Sequence, residues 1–273
     1  MTRRYAFANQ KGGVGKTTTV VNVAAAIASW GHRVLVIDMD PQCNATTSLG
    51  LNARELDTSM YDVLLEARSL AEVVHRTRWD ALDLAPSTPN LAAATVELNA
   101  EPPRERVERM AAALAAVEDY AYILIDSPPS LGVLTVNALV AAQGIIVPVQ
   151  CEYLALEGLT QLTHTISLVQ RGLNRTLSIR GVVMTMYDRR TTLSHQVVEE
   201  VRRYFPDQVF DTIVPRSVRL SEAPSYGEPG VLYEQRSAGA QAYLALAREM
   251  LLADGETVMW QPEGASSGEG DGA

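Results

Sequence analysis

The stretch Asn9-Gln10-Lys11-Gly12-Gly13-Val14-Gly15-Lys16-Thr17-Thr18 decides the fold of this chain. An apolar run at residues 5–8 leads into it, and a helix-forming run at residues 19–30 follows it. Strand, glycine-rich loop and helix in this order are the context that a phosphate-binding loop requires. Because glycines lack a Cβ atom, backbone N–H groups can curl around phosphate oxygens, and the helix N-terminus adds its positive dipole end.

The side chains of this loop have separate predicted tasks. Lys16 can reach the β- and γ-phosphates of a nucleoside triphosphate, and the Thr17 hydroxyl can ligate Mg²⁺. Gln10 stands where the ordinary pattern G-x-x-x-x-G-K-[ST] has its first glycine, and Lys11 adds a second lysine. A glycine turn with surface lysines is the alternative, which the flanking strand and helix disfavour. We therefore predict a nucleoside triphosphate and Mg²⁺ as ligands, with these loop residues contacting the nucleotide: Gly12, Gly13, Val14, Gly15, Lys16, Thr17 and Thr18.

Length and composition bound the rest of the chain. Its 273 residues suffice for one large α/β domain or two small ones, and 47% hydrophobic residues support a sizeable core. No apolar run predicts a transmembrane helix, and the early first strand leaves no room for a signal peptide. Cys43 and Cys151 lack metal-ligand spacing, which indicates thiols in a reducing cytosol. We expect a cytoplasmic protein, whose net charge of −9 by itself argues against nucleic-acid binding.

Two further apolar runs end in carboxylates. Residues 33–38 predict a buried parallel strand that leads into Asp38-Met39-Asp40, and residues 122–125 predict another that ends in Asp126. The second run has the Walker B pattern, whose Asp acts on Mg²⁺, usually through a coordinated water. The carboxyl ends of strands in an open α/β sheet face the ligand crevice. A helix-capping Asp is the alternative in each case, and the phosphate loop favours a metal site formed by Thr17, Asp40 and Asp126.

Strands alternate with helices along the whole chain. This order predicts an α/β fold with a doubly wound, mostly parallel sheet flanked by helices. Residues 82–86 are expected to form an edge strand, since they end at a proline. Later strands are expected at 144–150, 180–186 and 209–214, before a closing helix at 237–252. The remaining residues are rich in Gly, Ser and acids without Lys or Arg, so we expect one domain at 1–252 and a disordered tail at 253–273.

Several motifs together resemble one family. Residues 11–17 resemble the deviant Walker loop of the ParA/MinD ATPases, residues 38–44 (Asp-Met-Asp-Pro-Gln-Cys-Asn) their switch I, and residues 126–132 their switch II. Residues 215–227 closely resemble the signature of chromosomal, Soj-type ParA proteins. The chain is identified as a member of this family over roughly residues 3–252. The resemblance implies a P-loop ATPase that hydrolyses ATP to ADP and phosphate.

The resemblance also assigns roles to individual residues. Lys11 would be the signature lysine that reaches across a dimer interface to the partner's ATP, and with Lys16 and Asp40 it would form the catalytic set. Asp40 would position or activate the attacking water, and Asp38 would lie nearer the phosphates and the magnesium shell. Further nucleotide contacts would come from segments after later strands, with the Pro-Arg pair bordering the adenine: Glu152, Met186, Pro215 and Arg216.

A basic span lies in the second half of this acidic chain. Nine arginines and five acids between residues 171 and 219 leave a local excess of four positive charges. Arginines on one face can hold a phosphate backbone without reading sequence, although a solvated surface is the ordinary interpretation of such a span. The resemblance implies that Arg190 and Arg219 contact DNA in the ATP-bound dimer. Arg189 is a weaker candidate, as are Arg202 and Arg203.

The expected function is that of a DNA-partitioning ATPase. ATP would close a homodimer that binds double-stranded DNA non-specifically on the nucleoid, and a ParB-type centromere-binding partner would stimulate hydrolysis and release. A MinD-like membrane-cycling ATPase is the alternative. That branch ends in a basic amphipathic membrane helix, whereas the last residues here are acidic and glycine-rich. An iron–sulfur ATPase of the nitrogenase type would need a cluster cysteine in switch II, where this chain has Ser127-Pro128-Pro129-Ser130.

Overall fold

A computed structural model describes residues 1–153 and 155–258 and is built around one sheet. The strands are β1 (Arg3–Phe7), β2 (Val34–Asp38), β3 (His75–Arg76), β4 (Leu82–Ala85), β5 (Tyr122–Asp126), β6 (Gly144–Gln150), β7 (Ser178–Tyr187) and β8 (Val209–Pro215). Eight strands follow the order β3-β4-β2-β5-β1-β6-β7-β8, and the β3–β4 pair is antiparallel while the other neighbours are parallel. The predicted doubly wound, mostly parallel sheet is therefore confirmed.

Helices cover both faces of this sheet. They are α1 (Lys16–Ser29), α2 (Asn44–Ser48), α3 (Met60–Leu65), α4 (Leu70–Val73), α5 (Leu91–Glu97), α6 (Glu105–Leu114), α7 (Val133–Ala141), α8 (Ala155–Gly172), α9 (Thr192–Tyr204), α10 (Val218–Glu222), α11 (Gly230–Tyr233) and α12 (Ala238–Ala253). One apolar core lies under α3, α5, α6, α7, α8 and α9, and a second lies under α1 and α12. No helix within the described ranges is long and apolar enough to cross a membrane.

The central strands are buried because both faces of the sheet are covered. Every residue of β2 and β5 is buried, as their continuous apolar runs predict. Residues 82–86, however, do not form the edge of the sheet. β4 is fully buried, and the two-residue strand β3 lies outside it. The prediction of an edge strand was wrong because a strand of two residues has no readable period in the sequence.

The folded domain extends past the predicted boundary at residue 252. Helix α12 continues to Ala253, and the Asp254 side chain that follows is only 3% exposed. Its carboxylate accepts hydrogen bonds from the Tyr5 hydroxyl at 2.7 Å, the Tyr122 hydroxyl at 3.1 Å and the Arg180 guanidinium at 2.9 Å. Composition places Asp254 with the acidic tail, but its partners on three strands place it in the domain. Residues 259–273 of the predicted tail lie outside the described part of the chain.

Candidate nucleotide site and basic surface

The glycine-rich loop joins β1 to α1 at the C-terminal edge of the sheet. Gly13 and Gly15 have φ angles of 73° and 86°, in the left-handed region that favours glycine. Gly15 is the N-cap of α1, so the helix begins at Lys16, next to the loop as expected. This start places the free N–H groups of the first helical turn beside the loop, where they can bind an anion.

A cleft of about 360 Å³ opens over the loop. Its wall contains six residues of the loop and of the start of α1: Gly12, Gly13, Gly15, Lys16, Thr17 and Thr18. Asp40, just after β2, and Met186, near the end of β7, also line it. Val14 does not line the cleft; it is buried, and its carbonyl accepts a hydrogen bond from the Thr185 hydroxyl at 2.8 Å. The cleft thus brings together loop residues with a residue from each of two strand ends.

A second cavity of about 220 Å³ shares Gly15, Thr18 and Met186 with the cleft. Pro215 and Arg216, which the sequence predicts to border the adenine, lie in its wall. The wall is largely apolar and suits a flat ring, since it also contains Val214, Leu220 and Tyr243. The fold therefore brings Met186 and the Pro-Arg pair to one place, next to the loop.

Lys16 is the buried cation of the cleft. Its side chain is almost fully buried, and Nζ lies 3.4 Å from the Lys11 carbonyl oxygen. Burial lowers the pKa of Lys16, while the negative charges of Asp126 and Asp40 act in the opposite direction. A desolvated ammonium with one long hydrogen bond is well suited to binding phosphate oxygens.

The Thr17 hydroxyl and the Asp126 carboxylate lie together next to Lys16. The Thr17 hydroxyl donates to Asp126 Oδ2 at 2.6 Å, while the buried Oδ1 has no hydrogen-bond partner within the described residues. Burial, reinforced by the neighbouring Asp38 charge, raises the pKa of Asp126 well above its usual value. A hydroxyl and an unpartnered carboxylate oxygen are hard donors that fit Mg²⁺. No cluster of three or more His, Cys, Asp or Glu side chains suited to a metal occurs in the described ranges, so phosphate and water would complete the shell.

Asp38, the last residue of β2, and Asp40, two residues further on, have different environments. Asp38 is completely buried, and its carboxylate accepts hydrogen bonds from the Thr46 amide at 2.8 Å, the Thr46 hydroxyl at 2.7 Å and the Asp40 amide at 3.1 Å. Burial raises the pKa of Asp38 to about 6. Asp38 does not line the cleft itself; both of its oxygens hold the Asp40–Thr46 segment in shape beside it. Asp40 does line the cleft, and its Oδ1 accepts from the Gln42 amide at 3.0 Å.

Lys11 and Glu152 lie beside the cleft and not in its wall. Lys11 Nζ is 3.3 Å from Glu152 Oε2, and Arg216 Nη2 is 3.6 Å from Glu152 Oε1. The exposed fractions of the Lys11 and Glu152 side chains are 34% and 46%, so both are open to displacement by a competing charge. Within one chain, Lys11 therefore contacts a carboxylate and is not directed at the phosphates. This position is consistent with a lysine that acts elsewhere than in its own cleft.

Arg190 and Arg219, the two main arginines predicted to contact DNA, are paired with acids. Arg190 makes two contacts with Asp188, Nε to Oδ1 at 2.9 Å and Nη2 to Oδ2 at 2.7 Å. Arg219 Nη1 donates to Glu222 Oε2 at 2.8 Å. The side chain of Arg189 has no ion pair in the described part of the chain. The positive excess of this span is thus partly neutralised at the two positions where the sequence predicts DNA contact.

Some site residues were missed from the sequence. Gln42, Asn44, Thr47, Ser48 and Pro129 line the cleft. The first two belong to the switch I motif, and that motif could have identified them. Tyr243, which enters the second cavity from α12, carries no local signal, because only the closing of the helix against α1 brings it there.

Comparisons with known proteins agree with this geometry. A family model described as an AAA domain matches residues 2–179. The chain is 53% identical to the chromosome partitioning protein ParA of Myxococcus xanthus, over 90% of this chain and 87% of that protein. It is 52% identical to the sporulation initiation inhibitor protein Soj of Bacillus subtilis, over 90% and 96%. A crystal structure of cobyrinic acid a,c-diamide synthase from Mycobacterium smegmatis, with bound ATP analog and magnesium, is 39% identical with a TM-score of 0.81, over 91% and 93%.

The fold and the site define a P-loop nucleoside triphosphatase, since a glycine-rich loop follows the first strand of a parallel sheet and faces the carboxylate of a second strand. Two relatives are more than 50% identical to this chain in alignments that cover nine-tenths of its length. The chain therefore belongs to the ParA/Soj family of chromosome-partitioning proteins. The Mycobacterium smegmatis structure carries a different name, and its identity to this chain is lower.

Proposed function

We propose that this chain is a DNA-partitioning ATPase with a single ATPase domain. It binds ATP with Mg²⁺ in the cleft, closes a homodimer around the nucleotides and holds double-stranded DNA non-specifically. A ParB-type partner then stimulates hydrolysis and release. The observation that carries the proposal is the meeting of buried Lys16, the Thr17–Asp126 pair and Asp40 around one cleft, in a chain about half identical to ParA and Soj proteins.

The residues of the cleft have different roles in ATP binding and hydrolysis. Backbone amides of the loop and Lys16 bind the phosphates, and Mg²⁺ would be held by Thr17 and Asp126, where it supplies positive charge to the phosphate oxygens. Asp40 is buried apart from its face in the cleft, and its Oδ2, which accepts no hydrogen bond from the described residues, can accept a proton from an attacking water. Met186, Pro215 and Arg216 bind the base in the adjoining cavity.

Lys11 couples the binding of ATP to the formation of the dimer. In the isolated chain its ammonium is held by Glu152 on a partly exposed surface. An ATP phosphate of a partner subunit carries more negative charge than one carboxylate, so it can draw Lys11 away from Glu152. Dimerisation then depends on ATP, since the lysine gains this stronger contact only when triphosphate is present.

DNA binding is assigned to the surface that follows β7 and β8. Arg190 and Arg189 lie in the turn before α9, and Arg219 lies on α10. These exposed guanidinium groups can contact phosphates without reading bases. A dimer doubles the number of such contacts, so it binds DNA where the monomer is too weak.

Co-sedimentation of the purified protein with DNA tests the proposal. Protein with ATP should sediment with duplexes of unrelated sequence, whereas protein with ADP or without nucleotide should not. Lys16→Ala should remain in the supernatant under all three conditions. Binding to anionic liposomes without binding to DNA would select the membrane-cycling alternative. Normal ATP turnover without DNA binding in any nucleotide state would overturn the partitioning function.

A further inference from the structure

The turn after β7 holds a carboxylate against a proposed DNA-binding arginine. Asp188 contacts the Arg190 guanidinium at 2.9 and 2.7 Å, and its Oδ1 also accepts from the Arg190 amide at 3.0 Å. The Thr191 amide donates to the Asp188 carbonyl at 3.1 Å and closes the turn. The Arg190 side chain nevertheless stays 83% exposed. The guanidinium is therefore presented to solvent with its charge largely compensated.

Few arginines of the basic span have their charge compensated by a carboxylate in this way. Arg219 has one carboxylate contact, with Glu222, and the contact is not bidentate. Among the residues that the structure describes, Arg189, Arg202 and Arg203 form no ion pair, although all are exposed. Bidentate pairs are the strongest of these arrangements, because two charge-assisted hydrogen bonds share one fixed geometry. Arg190 is thus the DNA-face arginine for which a phosphate meets the strongest competitor.

Asp188 also lies next to the wall of the nucleotide cavity. Tyr187, its neighbour, pairs with Pro215 across β7 and β8, and the Arg216 amide donates to the Tyr187 carbonyl at 3.0 Å. The hydrogen bonds from Arg190 hold the pKa of Asp188 below its usual range, with a smaller contribution from the Arg216 charge. The carboxylate is therefore ionised at any pH at which the protein works, and it stays in place as a competitor.

We infer that Asp188 sets the DNA affinity of the ATP-bound dimer by competing with phosphate for Arg190. The inference rests on the proposed DNA binding. A phosphate at Arg190 must displace the carboxylate or share the guanidinium with it, and in both cases the two negative charges repel each other. The competition keeps non-specific DNA binding weak. Because it occurs in both subunits, the factor by which it lowers the DNA affinity of the dimer is the square of the factor for one subunit.

The decisive variant is Asp188→Asn. The asparagine Oδ1 can still accept from the Arg190 amide, so the turn is kept while the charge is lost. Removal of one like charge a few ångströms from a phosphate strengthens binding roughly threefold per subunit, or about tenfold per dimer. DNA affinity would be measured by fluorescence anisotropy with ATP, on two duplexes of unrelated sequence. The melting temperature and ATP affinity should remain those of the unaltered protein.

Two controls separate this effect from a change in net charge. Glu200→Gln on α9 makes the same charge change at an exposed carboxylate that forms no ion pair in the described ranges, and it should strengthen binding less than twofold. In an Arg190→Ala background, Asp188→Asn should gain no more than Glu200→Gln does. A gain that persists without Arg190 would show general repulsion and overturn the inference.

The remaining outcomes are also decisive. If the unaltered protein binds DNA and Asp188→Asn binds no better than Glu200→Gln, Asp188 does not compete with phosphate. If Asp188→Asn binds DNA more weakly, Asp188 positions Arg190 for DNA, and the inference is reversed. Failure of the proposed function looks different, because the unaltered protein and both charge variants would then all fail to bind DNA with ATP.

Discussion

The Thr17 hydroxyl donates a 2.6 Å hydrogen bond to Asp126 Oδ2, and Oδ1 of the same buried carboxylate has no partner in the described part of the chain. An oxygen left unsatisfied at this depth is costly unless a cation or water occupies the site when the protein works. The pair therefore links the first turn of α1 to the end of β5 through a direct hydrogen bond, and under the proposed function these two residues would also hold the metal.

This pair gives the first prediction. Asp126→Asn should reduce the Mg²⁺-dependent part of ATP affinity by about 10- to 100-fold, since the amide keeps the shape but loses the charge. ATP affinity would be measured by calorimetry with Mg²⁺ and with EDTA. Affinity in EDTA should change much less than affinity in Mg²⁺. An unchanged ratio between the two conditions would remove Asp126 from the metal site.

A second prediction separates the two lysines of the loop. Lys11→Ala should still bind ADP, because its ammonium lies against Glu152 and not in the cleft, but it should not dimerise with ATP. Light scattering with ATP measures the dimer. Lys16→Ala is the matched comparison, and loss of its charge-assisted contacts should weaken binding of both nucleotides. A normal ATP dimer with normal hydrolysis in Lys11→Ala would contradict the role given to this lysine.

The third prediction concerns Asp38 and Asp40, the two aspartates at the end of β2. Asp40→Ala should bind ATP and DNA but slow hydrolysis by about 10²- to 10⁴-fold, because it removes the group that orients the attacking water. Single-turnover hydrolysis and DNA retention would be measured on the same sample. Asp38→Asn should instead lower thermal stability, since Asp38 holds the Thr46 segment. Loss of ATP binding in Asp40→Ala would make its role structural.

A fourth prediction tests the surface around α10. Arg219→Glu should weaken binding to all duplexes about equally and reduce the slope of log affinity against log salt by about one unit per lost contact per subunit. Salt titrations of the ATP dimer on two unrelated duplexes would measure it. Arg216→Ala should disturb nucleotide binding more, because Arg216 lines the second cavity. Normal DNA binding by Arg219→Glu at moderate salt would leave the basic span as a solvated surface.

The fifth prediction concerns the stability of the domain. Asp254→Asn should lower the free energy of unfolding by about 2–3 kcal/mol, because it leaves the Arg180 charge half-buried without its partner. Urea unfolding would measure the change. Asp207→Asn, at an exposed acid without an ion pair in the described ranges, should be close to neutral. Equal stability of the two variants would show that Asp254 contributes no more than a surface acid.

The cluster around Asp254 also predicts that the domain loses stability at alkaline pH. Burial, with the hydrogen bond to Asp254, raises the pKa of Tyr5 from 10.0 to about 12. Between pH 10 and 12 the folded state therefore keeps Tyr5 neutral, whereas the unfolded state ionises it. The contribution of Tyr5 to the free energy of unfolding is thus complete below pH 10 and is lost as the pH rises towards 12. In Tyr5→Phe, the free energy of unfolding should fall less between pH 10 and 12 than in the unaltered protein.

The sequence predicts those parts of the site whose determinants are local. The loop, the start of α1 and Asp126 lie within short motifs whose strand and glycine patterns fix their geometry. The environment of Asp38 could not be predicted, because its partner Thr46 lies eight residues further on and the distinction from Asp40 depends on which way each carboxylate faces. Neither the Asp188 pairing nor the Asp254 pairing follows from composition, since charge counts do not say which arginine an acid will meet.

Asp254 has a practical consequence for studies of this protein in living cells. Its backbone carbonyl accepts from Arg3 Nη2 at 2.7 Å, and its carboxylate meets Tyr122 at the start of β5, so it lies at the N-terminal edge of the sheet. The cleft lies at the opposite edge, about 15 Å away along a five-residue strand. A fluorescent protein attached beyond Asp254 is therefore joined to the domain at the edge of the sheet opposite the cleft. Such a fusion should report position without blocking ATP entry, provided that the linker leaves Asp254 in place.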